Sequence, residues 1–275
     1  CIIIQGQNID DAISLAFENN NGNARFSSMS GAFSSLGGNL SAISINPASS
    51  SVFELSRLGF TLNGDRKDVE SSFSNSSSSV NSNYFNFQGG IVYVFKNYGE
   101  GKFRKFSFGI NNQNTNDYNF DQLIKGKSSF SVDRFFLNNS IGYNVNDVSV
   151  GSNETINEVY RWLGQNYGYS SQQAFLGFQS YLLDYDNQNN SFYSIAKYNN
   201  GLDINNFYYS QGSNNKSSIN LAAQYGENFY FGINFNIYEL YSKKSFRHLE
   251  NNFDSDSAIT LIDFRNELLT RGKGF

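Results

Sequence analysis

Cysteine, histidine, proline, methionine and tryptophan occur once each. With Cys1 and His248 as the only thiol and imidazole, the sequence excludes a disulfide framework, a zinc cluster and a Cys/His pair away from the terminus. No run approaches the roughly 20 apolar residues of a helical membrane span, so a helical membrane protein is excluded. Lys/Arg runs interleaved with aromatics are also missing, and 20 basic against 24 acidic residues leave a formal net charge of −4. That balance argues against a nucleic-acid partner. The abundant residues are aromatic, 27 Phe and 18 Tyr in a chain of 275 that is 39% hydrophobic. This is a β-rich profile with enough apolar surface for a core or a barrel wall.

Enzymatic readings have little to stand on. His248 falls in an expected loop beside Arg247 and Glu250, with no positioned serine motif to make a triad. Asp184–Asp186 and Asp254–Asp256 lack the glycine and distal glutamate of a calcium loop. The glycines after Arg25 form neither GxxxxGK(S/T) nor GxGxxG, so no phosphate cradle is read. No catalytic residue, metal ligand or cofactor is assigned.

Cys1-Ile2-Ile3-Ile4 before Gln5-Gly6-Gln7 reads as the remnant of a signal peptide over residues 1–6, with a buried first strand as the competing reading. Asp10 to Phe17 has acids in front and apolar residues at helical spacing, the pattern of a short helix. From Arg25 to Ser51 small residues surround the lone Pro47, as in a tightly packed irregular segment.

Beyond Ser51 the period becomes two, placing alternate side chains on opposite faces of a sheet. Leu58, Phe60 and Leu62 open the series. Phe85, Phe87, Ile91, Tyr93 and Phe95 follow, then Phe106, Phe108 and Ile110. Ile219, Leu221, Ala223 and Tyr225 make a fourth strand, Phe229 to Ile237 a fifth, and a less regular sixth runs from about Ala258 to Thr270. The expected connections are Gly64–Ser82, Asn97–Gly101, Asn112–Lys216, Gly226–Asn228 and Phe246–Ser257. Their alternation of long and short is that of an outer-membrane barrel. Inside the long excursion, Glu154–Gly164 and Ser171–Leu183 carry apolar residues at helical spacing.

Three blocks of sequence, Ala24 to Phe33, Leu36-Gly37-Gly38-Asn39 and Ile45-Asn46-Pro47-Ala48, together resemble the N-terminal hatch of the FadL/TodX family of outer-membrane transporters. Tyr225-Gly226-Glu227-Asn228, Phe231-Gly232 and Thr270 to Phe275 are similar to its Bacteroidetes branch. The resemblance implies an all-β fold: a transmembrane antiparallel β-barrel, here about the first six of fourteen strands, as an N-terminal fragment. It further implies a hatch over residues 7–51, a partial barrel over 52–275 and a helical extracellular insertion over about 112–216.

The implied function is passive uptake of long-chain fatty acids or other hydrophobic small molecules through the bacterial outer membrane, with membrane lipid and such a ligand as partners. The alternative is a surface docking protein for a secretion-system partner. Gly31, Ala32, Phe33, Asn46, Pro47 and Ala48 would belong to the hatch. Arg57 and Lys105, alternating with the aromatic face, would point into the lumen toward a carboxylate or pair with a hatch acid. Phe175 and Phe178, with Leu182, would line a groove or pack helix on helix. Gly109 would mark a kink that opens the wall sideways, or make room for the hatch.

Overall fold

The structure is a computed structural model that describes residues 13, 16–19 and 21–275. The expected signal remnant and most of the expected helix at residues 10–17 lie outside the described residues. Among the rest, the chain is mostly antiparallel strand, and no helix is long and apolar enough to cross a membrane.

After two short helices, α1 (Ala24–Ser28) and α2 (Phe33–Leu36), and 3-10 turns at Leu40–Ala42 and Pro47–Val52, the strands begin. They are β1 (Arg57–Phe73), β2 (Ser76–Lys96), β3 (Phe103–Asp117) and β4 (Phe120–Ser128). Helices α3 (Asp133–Ser140), α4 (Ile156–Asn166) and α5 (Tyr169–Gln179) follow, with the small hairpin β5 (Leu183–Asp186) and β6 (Ser191–Ser194). The chain returns through β7 (Leu202–Tyr225), β8 (Phe229–Asn251) and β9 (Ile262–Gly274). The main sheet has seven strands in the order β1-β2-β3-β7-β8-β9, and β4 pairs with the upper half of β7. Among the described residues β1 and β9 are its edges.

Several expected loops are strand. Gly64–Ser82 continues β1 into β2 through a two-residue turn at Ser74-Asn75, both with positive φ as a type I′ hairpin requires. Phe246–Asn251 continues β8, and β3, β4 and β7 extend into the expected excursion 112–216, whose helical part also holds α3. His248 therefore lies in β8 and not in a loop. The physical reason is common to these errors. Where both faces of a strand are polar, pairing continues but the apolar alternation that reveals it is gone.

Register aligns the apolar residues across strands. Leu62 faces Phe87, Ile91 faces Ile110, Ile110 faces Ile219 and Ile219 faces Phe235. This face is bare: Phe60 is 80% exposed, Phe85 73%, Phe229 71% and Ile233 68%. The opposite face carries Asn111, Ser218 and Asn220, all at 0%. The polar face is the covered one because residues 21–56 lie against it. Their own apolar contacts are small, Phe26 with Phe33 and Ala42, then Ile43 and Phe53 against Val92 of the sheet.

Candidate functional site

The N-terminal segment follows the covered face of β3 from end to end. Asn19 bonds Asn116, Ser44 Oγ donates to Gln113 Oε1 at 3.0 Å, Ser50 Oγ meets Ser107 Oγ at 2.8 Å, and Glu54 reaches Lys105 Nζ at 2.6 Å. Neighbouring strands join in. Gln88 Nε2 donates to Ser41 Oγ at 2.8 Å, Asn220 Nδ2 to the Pro47 carbonyl at 2.9 Å and Asn234 Nδ2 to the Ile43 carbonyl at 2.6 Å. An ideal Cβ on Gly232 would stand 2.5 Å from the Pro47 oxygen, so only glycine permits this approach. Buried polar groups must be paired, and here irregular backbone carbonyls are the partners of sheet amides.

The expected hatch residues build this segment from within. Gly31 takes a φ of 81°, Ala32 precedes α2, and Phe33 packs on Phe26. Asn46 caps the Pro47 turn by accepting from Ala48 N at 3.1 Å and ties it to the Ser34 carbonyl at 2.7 Å. Lys105 is buried and committed to Glu54, which also takes Lys96 at 3.0 Å. Hydrogen bonds from Lys105 and Lys96 hold the Glu54 carboxyl at about 2, below its usual 4.5. Arg57 shares the covered-face parity with Gly59 but is exposed.

The second feature is a seam. Backbone pairing of β2 with β3 runs from Lys96↔Lys105 to Gly89↔Asn112 and stops there. Above that point β2 stays with β1, while β3 shifts register at Asn114/Asn116 and breaks at Tyr118-Asn119. Gly212 of β7, at φ 147°, seats the break: Tyr118 N donates to its carbonyl at 3.0 Å and its own N to Asn119 Oδ1 at 3.1 Å. Side chains alone bridge the parted strands. Lys67 Nζ donates to the Asn119 carbonyl at 2.6 Å, and Asp121 Oδ2 accepts from Ser82 Oγ at 2.5 Å and Tyr84 OH at 2.9 Å. On the bare face the seam opens into a notch of about 460 Å³ bordered by Phe85, Phe87 and Tyr241.

Gly109 is not at this irregularity. It sits in regular pairing between Val92 and Asn220, with ordinary contacts and no unusual φ, and the irregularity of this stretch lies at residues 114–119. Phe175 is fully buried with Val148, Val159, Leu163 and Ala174, and Phe178 packs on that cluster and on Phe192. Leu182 is buried with Phe136 and Leu183, so these three side chains do not line one open groove. A cavity of about 840 Å³ lies instead around Tyr143, Glu158, Trp162 and Tyr167. Its acids serve nearby turns and caps: Asp147 accepts from Asn144 N at 2.7 Å, and Glu158 accepts from Thr155 Oγ1 at 2.8 Å and from Thr155 N at 3.0 Å, which together hold the Glu158 carboxyl low.

No protein-family profile, no curated protein and no solved structure matches this chain. The geometry therefore speaks for itself. It offers an irregular segment sealed to the polar face of a sheet, a seam in that sheet without backbone bonds, and a helical unit fixed above it. Glu250, 1% exposed, makes that fixture: it accepts from Val132 N at the start of α3 at 2.7 Å and from His248 Nε2 at 2.6 Å. Lys67 and Asp121 were not singled out from the sequence, and Glu250 was named there only as a neighbour of His248. The available signal was Asn111-Asn112-Gln113-Asn114-Thr115-Asn116, where alternation fails in mid-strand.

Proposed function

We propose that the chain forms part of an outer-membrane β-barrel of the FadL/TodX type, in which residues 21–56 are the hatch and hydrophobic molecules pass by way of the β2–β3 seam. The supporting observation is the inverted polarity of the sheet. A soluble protein covers its aromatic face and wets its polar one, whereas lipid demands the reverse. At about 3.3 Å per residue and a tilt of about 40°, Phe229 to Ile237 rises roughly 20 Å, near the band of about 25 Å that barrels present to lipid. Phe103 stacks on Phe106 at 5.4 Å and meets Tyr225 at 5.2 Å, beside the short turns, as an interfacial aromatic girdle would.

A moving obstruction and a wall that parts are what uptake of an apolar ligand requires. The contacts of residues 21–56 with the sheet are mostly polar, and the seam is closed by side chains only. Uptake of radiolabelled oleate by cells carrying the protein tests this. A cysteine pair placed by S82C and D121C should abolish uptake when oxidised and restore it on reduction. Equal uptake in both states would overturn the route.

A second reading, docking of a secreted protein, draws on the exposed Ile141, Ile156, Trp162, Tyr167 and Tyr181 of the helical unit. Native mass spectrometry of the protein from outer membranes separates the two: a retained hydrocarbon or fatty acid supports transport, and a retained secreted protein supports docking.

A further inference from the structure

The net charge of the chain is concentrated in one place. Residues 135–196, most of the helical unit, hold five acids, Asp147, Glu154, Glu158, Asp184 and Asp186, against one base, Arg161. Five against one is the whole formal charge of −4, and the remaining 19 acids and 19 bases balance. Along the sheet Asp117, Glu239 and Asp263 each hold a lysine or arginine, whereas none of the five acids forms an ion pair with a described residue. Three of them border the cavity of about 840 Å³ together with Tyr143, Trp162 and Tyr167, and no lysine or arginine lines it. Each carboxylate is fixed through one oxygen: Asp147 Oδ2 accepts from Asn144 N, Glu154 Oε2 from Gly151 N at 3.0 Å and Glu158 Oε2 from Thr155 N and Oγ1. The second oxygen of each accepts from no described residue. The rings stand open, Trp162 at 52% exposure and Tyr167 at 62%, edge to face at 5.4 Å.

Such a cleft repels an anion, and among the described residues no three acids are grouped as a metal site requires. What it suits is a cation with an organic body. Guanidinium meets both parts of the wall, lying flat on an aromatic ring and offering paired N–H donors to a carboxylate. Ile141 and Ile156, chain neighbours of the lining Gly142 and of the turn before Glu158, are exposed as well, so the apolar surface extends past the cleft, as it does where a protein docks. We infer that the cleft docks an arginine-bearing segment of another protein. This names the partner chemistry of the docking reading and rests on that reading for the source of the segment; it uses neither the N-terminal segment nor the seam.

The full chain in dodecyl maltoside micelles, an uncharged detergent, is titrated with end-capped tetra-arginine, tetra-lysine, tetra-glutamate and spermidine, and the emission of Trp162, the only tryptophan, reports the cleft. A saturable change with tetra-arginine is expected, tighter than with tetra-lysine and absent with tetra-glutamate. Glu154→Gln with Glu158→Gln should raise the tetra-arginine Kd about fivefold, as the loss of two exposed charge pairs does, while glutamine still serves the cap. Should that variant fail to fold, the exposed Tyr167→Leu should bring tetra-arginine down to the level of tetra-lysine, an effect that charge alone does not produce. No saturable change, tetra-glutamate bound as tightly, or variants that bind like the parent overturn the cleft. Equal binding of tetra-arginine and tetra-lysine overturns the choice of arginine, and spermidine bound as tightly as tetra-arginine overturns a protein partner in favour of a small polycation. Native mass spectrometry of the protein from outer membranes judges the docking reading separately. A secreted protein retained by a chain that ignores tetra-arginine overturns this inference and leaves docking standing; tetra-arginine bound by a chain that retains only hydrocarbon keeps the cleft and overturns its source.

Discussion

A buried ammonium needs a partner, and Lys105 finds one carboxylate, Glu54, at the point where the N-terminal segment hands over to β1. Because Glu54 titrates at about 2 in the folded chain against 4.5 ordinarily, its contribution is complete above about pH 4.5 and is lost as pH falls toward 2. A nitroxide on the exposed Ile45 should accordingly stay immobile from pH 7 to 5 and gain a mobile fraction below about pH 3. Glu54→Gln should show that fraction already at pH 7, since it leaves Lys105 without its charge partner. In the helical unit Phe175 is the residue with most to lose. Phe175→Ala should cost about 3–5 kcal/mol of local stability, seen as faster hydrogen exchange over residues 156–179 with the strands unaffected.

At the scale of elements, legibility followed contrast. The lower halves of β1, β2, β3, β7 and β8 could be read because aromatic and polar residues alternate there. The helices α4 and α5 were readable within a few residues from Ile156, Val159, Leu163 and Phe175. The upper hairpin could not be read, because Ser77, Ser78, Ser79 and their partners Ser72, Ser71 and Glu70 are polar on both faces. Nor could the seam, since the end of a ladder depends on which partner β2 keeps, and Gly89 and Gly90 announce only a close approach. Short-range motifs fared better at the N-terminal segment, where Asn46 and Pro47 specify their own turn. The seam carries its own prediction. Lys67→Ala with Asp121→Ala should quicken hydrogen exchange of residues 76–86 by about tenfold or more, the loss of three charge-assisted contacts. Exchange over residues 89–96, where the backbone ladder is intact, should not change.

For the whole molecule the question is what solvent the aromatic face meets. If it meets lipid, an arginine at Ile233 should cost about 2–4 kcal/mol and one at Tyr209, past the belt, about 0–1. The measure is refolding into vesicles followed by denaturant titration. Equal costs would return the face to water. The strands that outrun the belt also decide what light can report. Trp162, the only tryptophan, stands half exposed on α4 against Tyr167 at 5.4 Å and borders the cavity of about 840 Å³. Emission excited at the red edge therefore comes from the helical unit alone: it registers a molecule settling in that cleft and is silent about the N-terminal segment, the seam and the aromatic face, so each of those needs an introduced probe.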